Sequence, residues 1–565
     1  MEVGSQRTNV SVLRLETLAI VSGLISFTLF PFPFSLTTYY YIRPPVDYTK
    51  LTNYSPVWFV AYVVGTIALF WLYGQAIRLA KPSSATLVSP RFVFATSAIF
   101  AAILIFSYPL TAIDLFVYAI RTRGWALYGL PPLITPPEAL PATDPWLALA
   151  GEWLDAPSPY GPVWEWLSLG VFYLGGGNFL AHLFGLKLIG ALAYLGCGWL
   201  VYQILQYLEP RWAVAGTMAF VWNPLVLLES VQNAHNDILM MLFLLGALWA
   251  YARLRPSSVQ TSAGSAFTNA ATLPLSGQLL ICLLLALSIL VKFVTLLAGP
   301  FILIAVSLSY PTVRQRLLSL TRLSLVTGGL IILPMLPVWP GWDNWAVLAA
   351  GSGAGRSLLA LLVLALRDTL GVNTAFDLAR PLILLIFGLI YLSQIWPLLQ
   401  LLLHPTSPPT SSNLPPLHPS TPPPLPPLNL PTSNPLTLHP PNLPSFHPSI
   451  LTILHPSILP SFHIFFWYVL LAAPVFHAWY LLWFAPLACL LLPYHRPLQA
   501  TIVFSLTALL IIPYFETVRV WYPSLLQNHL VGHLIGVPLL LLPPALTLLR
   551  PTGSTATSEV SSAQH

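Results

Sequence analysis

The apolar stretch SGQLLICLLLALSILVKFVTLLAGPFILIAVSLSY, residues 276–310, decides the fold of this chain. It contains one charged residue, Lys292, and it is far longer than the roughly 20 apolar residues that one membrane-spanning helix needs, so it has room for two spans. Further runs of spanning length lie at 15–34, 56–77, 92–110, 179–206, 238–252, 323–339, 381–403, 464–492, 498–514 and 530–549, with shorter ones at 161–175, 212–228 and 355–366. We predict an all-α, polytopic transmembrane helical bundle with about 11–13 spans.

The composition supports a membrane protein. Of the 565 residues, 56% are hydrophobic and 7% are charged, whereas a soluble chain carries about a quarter charged residues. The formal net charge of +6 does not indicate a nucleic-acid partner, because the 23 Lys and Arg residues stand singly or in pairs at the ends of apolar runs. The three cysteines lie inside apolar runs, at spacings that predict neither a disulfide framework nor a zinc site.

Four segments differ in composition. Residues 1–403 form a predicted transmembrane catalytic module with an outer loop at 111–160, and residues 464–549 form C-terminal transmembrane helices. Between them, residues 404–463 hold 19 of the 57 prolines and no Asp, Glu, Lys or Arg, which predicts a disordered or polyproline-II insertion. Residues 550–565 are a predicted disordered tail, and the polar insert 256–276 is a predicted flexible loop.

The distribution of basic residues predicts the orientation. Short loops rich in Lys and Arg face the cytoplasm. This rule places a set of basic side chains inside: Arg78, Lys81, Arg91, Arg253, Arg255, Arg314, Arg316 and Arg322. We therefore expect a multi-pass protein of the cell membrane, with the loop 111–160 on the extracytoplasmic side. This orientation requires that either 161–175 or 212–228 is re-entrant or interfacial rather than spanning.

Asp114 is the first candidate for chemistry. It stands where an apolar run ends, with Arg121 and Arg123 about two helical turns further on. A carboxylate at the membrane edge can be tuned toward useful basicity, and nearby guanidinium groups can hold a phosphate. The alternative is structural: Asp114 caps a helix or balances the charge of Arg121.

Two further segments are dense in polar and aromatic residues. Residues 156–166, APSPYGPVWEW, deliver Tyr160 and the acid Glu165 into an apolar run, or else form an aromatic belt with a proline-started helix. Residues 222–237 concentrate polar groups that usually line a cavity at membrane depth: Asn223, Glu229, Asn233, His235, Asn236 and Asp237. We favour sugar or phosphate binding by these groups over a metal site, and helix capping is the structural alternative.

Lys292 and a late aromatic segment complete the candidates. Lys292 lies near the middle of its apolar stretch, which favours an anionic partner over snorkelling to the surface. Residues 476–483, FHAWYLLW, place His477 beside Trp479 and Tyr480 as a platform for a sugar or an isoprenoid, or as an interfacial aromatic cluster.

Five segments together resemble the GT-C superfamily of glycosyltransferases, most closely the bacterial polyprenol-phosphomannose-dependent mannosyltransferases. They are YPLTAIDLFVYA (108–119), SPYGPVW (158–164), WNPLVLLESVQNAHND (222–237), VKF (291–293) and FHAWYLLW (476–483). The resemblance implies that Asp114 is the general base toward an acceptor hydroxyl, with inversion at the anomeric carbon. It further implies that residues 229–237 shape the sugar and phosphate site, beside Tyr118, and that Lys292, Arg121 or Arg123 neutralises the departing phosphate.

The same resemblance sets the expected substrates. The donor is a polyprenyl-phosphate sugar, most commonly mannose, and the acceptor is an extracytoplasmic glycolipid or glycan. We expect membrane lipid as a partner and no tightly bound cofactor or metal, with a divalent metal left open. The long insertion 404–463 departs from the family pattern.

Two other classes of protein compete with this interpretation. A transporter or flippase for lipid-linked sugars also has many spans and isolated intramembrane charges, but it predicts internal repeats, and the two halves show none. A structural membrane scaffold leaves the acids near the membrane unexplained. The acceptor, the linkage and the oligomeric state are not specified by the sequence.

Overall fold

The computed structural model describes residues 2–82, 88–254, 273–339, 341, 355–404 and 451–550. These residues form helices joined by loops, with two isolated β-bridges and no strand among them. Seven of the helices are long and apolar enough to cross a membrane, or eight if the bent pair Pro210–Val221 and Pro224–Gln232 is one span. The prediction of an all-α polytopic bundle is confirmed, and the chain is a multi-pass membrane protein.

The helices of the first half are α1 (Glu2–Leu29), α2 (Leu36–Tyr39), α3 (Tyr48–Leu51), α4 (Pro56–Ala80), α5 (Pro90–Leu104), α6 (Asp114–Tyr128), α7 (Pro162–Leu174), α8 (Phe179–Leu208), α9 (Ala213–Val221), α10 (Pro224–Leu227), α11 (Asp237–Leu254) and α12 (Leu275–Val291). The second half continues with α13 (Gly299–Ser307), α14 (Val313–Met335), α15 (Leu358–Leu370), α16 (Val372–Leu403), α17 (Leu451–Trp467), α18 (Ala485–Leu490), α19 (Arg496–Pro513), α20 (Arg519–Trp521), α21 (Pro523–Gln527) and α22 (His529–Leu549). Three π-helical turns extend α10, α17 and α19, at Leu228–Gln232, Tyr468–Ala472 and Tyr514–Val518. Short 3-10 turns lie at Pro137–Ala139, Leu147–Leu149, Gly151–Trp153, Pro210–Trp212, Phe293–Leu297, Leu336–Val338, Ala478–Trp483 and Leu492–Tyr494.

The stretch 276–310 folds as two helices, α12 of 17 residues and α13 of nine, and neither is among the helices of full spanning length. The first, α12, ends at Val291, and Lys292 adopts an extended conformation with φ −153° and ψ 123°. A short 3-10 turn then reverses the chain into α13. A break at this position places the backbone of Lys292 deep among the helices rather than on a surface loop.

One end of the bundle collects the loops that carry the candidate residues, and we call it the α6 end. Three backbone hydrogen bonds tie these loops together: Leu36 N–H to Phe106 O at 2.7 Å, Gly161 N–H to Val291 O at 3.0 Å, and Phe476 N–H to Gly355 O at 2.9 Å. The loops 30–55, 105–178, 291–297 and 473–483 therefore share this end.

The segments 161–175 and 212–228 differ in helix length and shape. Helix α7 has 13 residues and is about 20 Å long, which is too short for a hydrocarbon core of about 30 Å. Helices α9 and α10 together form the bent candidate span, with an angle of 57° at the break around Asn223. Helix α7 is thus too short to span by itself, and the bent pair is either a broken span or a re-entrant loop.

The C-terminal boundary of the predicted insertion at 404–463 is wrong. Residues 405–450 lie outside the described part, but residues 451–463 belong to α17, which contains Pro456 and Pro460. The prolines are tolerated because the segment buries apolar side chains, including Ile458 and Phe462, against the bundle. The predicted tail beyond Arg550 and most of the predicted loop 256–276 also lie outside the described residues.

Candidate active site

Asp114 is the first residue of α6 and is almost fully buried, with 7% of its surface exposed. Its carboxylate forms no hydrogen bond or ion pair with another side chain in the described part of the chain, so it neither caps the helix nor pairs with Arg121. Burial raises the pKa of the Asp114 carboxyl above its ordinary value. Three basic side chains nearby oppose this rise: His235, Lys292 and Arg121. An unpaired carboxylate among basic groups is free to accept a proton from a substrate.

The two arginines after Asp114 have different surroundings. Arg121 is buried and donates to the carbonyl oxygens of Ala156 and Pro157, at 2.8 and 3.2 Å, while its Nε is buried without a partner. Arg123 instead forms an ion pair with Asp144 at 2.8 Å, within the outer loop. Arg121 thus remains a candidate for phosphate binding, whereas the guanidinium group of Arg123 is occupied.

The Arg123 pair is part of a compact cluster in the outer loop. The Asp144 carboxylate also accepts hydrogen bonds from the Tyr128 hydroxyl at 2.7 Å and from the Trp146 N–H at 2.8 Å. The Arg123 guanidinium lies 4.6 Å from the Trp146 ring centroid. Burial opposes ionisation of Asp144, but these hydrogen bonds together with the charge of Arg123 lower its pKa. This cluster holds the loop and offers no open site.

The segment 158–165 forms one wall of the site. Tyr160 Oη lies 3.2 Å from the hydroxyl of Tyr118, and this hydroxyl is also 3.5 Å from Nδ1 of His235. Glu165 is buried, and Ser158 donates a hydrogen bond to its carboxylate. Burial raises the pKa of Glu165 to about 7, against the opposing effects of Ser158 and Arg121. Tyr160 and Tyr118 face His235, whereas Glu165 supports the turn from behind.

The π-helical turn Leu228–Gln232 positions the acid Glu229. Its carboxylate accepts hydrogen bonds from Asn233 Nδ2 at 2.9 Å and Thr111 Oγ1 at 3.3 Å, and it lies 3.3 Å from His235 Nε2. Ala234 adopts a positive φ of 57°, which turns the chain sharply before α11 begins at Asp237. This conformation brings Glu229 and Asn233 to Thr111, three residues before Asp114, and His235 to Tyr118 on α6.

Several polar atoms of this segment are buried and have no hydrogen-bond partner in the described structure. They are Asn233 Oδ1, both side-chain polar atoms of Asn236, and Asp237 Oδ2. Burying such groups without a partner is costly, so an orphaned cluster indicates a site that a polar ligand completes. Asn223 differs, because its side chain caps α10 through the Leu225 N–H at 3.0 Å and donates to Ser505 at 3.2 Å. Asn223 is therefore a helix cap, whereas the capping alternative concerns Asn236 or Asp237, and Asn236 makes no hydrogen bond through its side chain in the described structure.

Lys292 joins this segment to the late aromatic segment. Its ammonium group is 2.7 Å from Asp237 Oδ1, which also accepts a hydrogen bond from the indole of Trp483. The rings of Tyr160, Tyr480 and Trp483 surround it at 5.4 to 5.5 Å. Lys292 thus has Asp237 as an anionic partner, and the aromatic rings around its ammonium stabilise its charge.

Trp479 is stacked between two imidazole rings. Its centroid lies 4.0 Å from that of His235 and 4.1 Å from that of His477, with interplanar angles of 18° and 19°. The late segment 476–483 is thus brought against the segment 229–237, although the two are far apart in sequence. Sequence reasoning missed Thr111 and Trp483 as members of the site, although both lie inside the quoted motifs.

The described residues contain no group of three or more His, Cys, Asp or Glu side chains arranged to hold a metal ion. Of the acids in this site, Glu229 is engaged by Asn233, Thr111 and His235, and Asp237 by Lys292 and Trp483. The three cysteines are buried and free.

Comparison with known proteins agrees with the resemblance seen in the motifs. Residues 35–308, a little under half of the chain, match the MptA_B family, described as alpha-(1->6)-mannopyranosyltransferase, N-terminal domain. A curated alpha-(1->6)-mannopyranosyltransferase of Mycobacterium tuberculosis is 30% identical over 139 residues, an alignment that covers 23% of this chain and 23% of that relative. No solved structure matches the chain. The matched region contains the site residues from Asp114 to Lys292.

Proposed function

Because its N-terminal half carries the N-terminal domain of an alpha-(1->6)-mannopyranosyltransferase family, we propose that this chain is a membrane mannosyltransferase. The sugar, a hexose and most simply mannose, comes from a polyprenyl-phosphate carrier. The acceptor is an extracytoplasmic glycolipid or glycan. Asp114 is the general base, and the reaction inverts the anomeric carbon.

The observation that carries this proposal is the unpaired, buried Asp114 carboxylate facing a segment of orphaned polar groups. The site lies at the end of an apolar bundle, where a lipid-linked donor and a water-soluble acceptor hydroxyl can meet. Burial raises the pKa of Asp114, which strengthens it as a base, and the basic side chains nearby oppose this rise. No other acid among the site residues combines burial with a free carboxylate.

The transfer is a single displacement. An acceptor hydroxyl attacks the anomeric carbon while its proton passes to a carboxylate oxygen of Asp114, and the carbon–oxygen bond to the lipid phosphate breaks. Attack opposite the leaving group inverts the configuration. The departing phosphate gains negative charge, and the ammonium of Lys292 and the guanidinium of Arg121 are the groups placed to stabilise it.

The orphaned groups of the 233–237 segment are assigned to the sugar. Asn233, Asn236 and Asp237 offer both donors and acceptors, which suits the hydroxyls of a hexose better than a phosphate, which presents only acceptors at its charged oxygens. Trp479, which stacks on His235 and His477, holds the His235 ring beside them.

The proposed orientation has the α6 end outside the cytoplasm. Basic residues lie at the opposite end of the helices: Arg78 in the last turn of α4, Arg91 at the start of α5, Arg253 in the last turn of α11 and Arg316 near the start of α14. Cytoplasmic loops carry such an excess of Lys and Arg. This distribution supports an extracytoplasmic site.

The donor class is tested with the full-length protein in nanodiscs, given either polyprenyl-phosphate mannose or GDP-mannose together with a glycolipid acceptor. We expect transfer from the lipid donor alone, and a product whose anomeric configuration is opposite to that of the donor. Transfer from the nucleotide sugar or retention of configuration contradicts the proposal. Movement of the donor across proteoliposome membranes without transfer supports a flippase instead.

A further inference from the structure

Lys187 is a buried lysine that the proposed reaction does not use. It lies in the spanning helix α8, about 12 Å along the helix from its first residue, and 0% of its surface is exposed. It forms no ion pair with an acid in the described structure. A lysine at this depth is costly and usually marks a functional feature rather than a lipid-facing position.

The partners of Lys187 are backbone carbonyls at the end of the π-helical turn 228–232. Its ammonium donates to the carbonyl of Gln232 and, at 3.4 Å, to that of Val231. The end of a helix leaves carbonyls without hydrogen-bond partners, and the Nζ of Lys187 donates to two of them. Lys187 therefore replaces the backbone hydrogen bonds that these carbonyls lose where the helix ends and the polar segment 233–237 begins.

A second feature of α8 supports a contact built for this turn. Gly190 lies one helical turn after Lys187, and a Cβ at this position would stand 2.3 Å from the carbonyl oxygen of Ser230. Only glycine, which has no Cβ, allows the backbone of the turn to approach α8 so closely. Gly190 and Lys187 thus contact the same π-helical turn. Gly190 allows its backbone to pack closely, and Lys187 donates hydrogen bonds to it.

We infer that Lys187 is a positioning residue, which fixes the conformation of residues 228–237 so that Glu229, Asn233 and His235 face Asp114. The inference rests on the proposed function for its kinetic consequence, but the fixing of the segment stands on the geometry alone. Removing the ammonium leaves the carbonyls of Val231 and Gln232 unpaired in the core, and the segment then relaxes. A misplacement of about 1 Å in a site of this kind lowers turnover on the order of 100-fold.

The first test is hydrogen–deuterium exchange on the full-length protein in nanodiscs. Lys187→Met is expected to speed exchange at the amides of residues 228–237, and Gly190→Ala to do the same. Gly196→Ala is the matched control on the same helix, because its Cβ would meet only the flexible end of the Leu242 side chain. Unchanged exchange at 228–237 in both test variants overturns the inference, whether or not the protein transfers mannose.

The second test separates positioning from a loss of stability. Asn233 does not contact Lys187, but both act on the same segment, so Lys187→Met is expected to lower kcat much less in an Asn233→Ala background than in the wild type. Lys187→Gln, which keeps one amide donor, is expected to recover part of the rate. Equal fold-losses of kcat in both backgrounds overturn the positioning role. If the wild type transfers no mannose, the proposed function is wrong. The hydrogen–deuterium exchange experiment then decides by itself whether Lys187 fixes the segment 228–237.

Discussion

Gly161→Ala is the substitution whose effect is most directly worked out from the structure. A Cβ at position 161 would lie 2.0 Å from the carbonyl oxygen of Leu290 and 2.4 Å from its carbonyl carbon. Ordinary contact begins near 3.4 Å, and both obstacles are backbone atoms that no side-chain rotation removes. The turn that carries Gly161 must therefore move away from the end of α12 by about 1 Å or more.

This displacement acts on both sides of the site. Tyr160 precedes Gly161, Lys292 follows the end of α12, and the hydrogen bond from Gly161 N–H to Val291 O at 3.0 Å is lost. The lost hydrogen bond costs about 1 kcal/mol of folding free energy. Separation of Tyr160 from Lys292 by about 1 Å is expected to reduce the transfer rate on the order of 100-fold, which corresponds to about 2.7 kcal/mol of activation free energy.

The assay measures transfer rate and thermal unfolding temperature on matched amounts of purified protein. Gly170→Ala in α7 is the control, because no atom lies within 4 Å of its added Cβ, and alanine in a helix interior is favourable by up to about 1 kcal/mol. We expect the control to keep the wild-type rate. A folded Gly161→Ala protein with a rate within about threefold of the wild type would refute the link between this contact and the site.

Two further substitutions test charged side chains of the site. Lys292→Met leaves the buried Asp237 without its counter-ion, so we expect the free energy of unfolding to fall by about 3–5 kcal/mol. The double variant with Asp237→Asn should recover the unfolding temperature but not the rate of mannosyl transfer. Glu165 has a pKa near 7 in the folded protein against 4.5 in the unfolded chain, so its contribution favours folding fully below pH 4.5 and is lost as the pH rises through 7. Unfolding temperatures from pH 4 to 8 should therefore fall more in the wild type than in Glu165→Gln, and parallel profiles would contradict this.

The length of apolar runs predicted most of the helices because a bilayer demands about 20 apolar residues per span, whatever the tertiary contacts. This criterion does not predict a helix in a proline-containing segment that packs inside the bundle. Helix α17 keeps Pro456 and Pro460 because neighbouring side chains are buried, which depends on contacts with distant helices. The difference between the short α7 and the bent pair α9–α10 likewise rests on helix length and on the bend between two helices, and hydrophobic periodicity predicts neither.

The candidate site was predictable where polar residues cluster within an apolar context. The segment 229–237 and Lys292 were found on this ground. Lys187 stands equally alone in the apolar run 179–206, and the same criterion applied to every intramembrane lysine would have identified it. The occupation of Arg123 by Asp144 could not be inferred, because the partner lies 21 residues away in an irregular loop.

The central claim is that Asp114 acts as the base in mannosyl transfer. The most direct measurement is the transfer of labelled mannose from polyprenyl-phosphate mannose by the wild type, Asp114→Asn and the control Asp155→Asn, whose carboxylate is exposed in the same outer loop. General base catalysis contributes about 100- to 10,000-fold, so we predict a loss of this size in Asp114→Asn and none in Asp155→Asn, with equal amounts of folded protein. Equal rates in all three proteins would contradict the account.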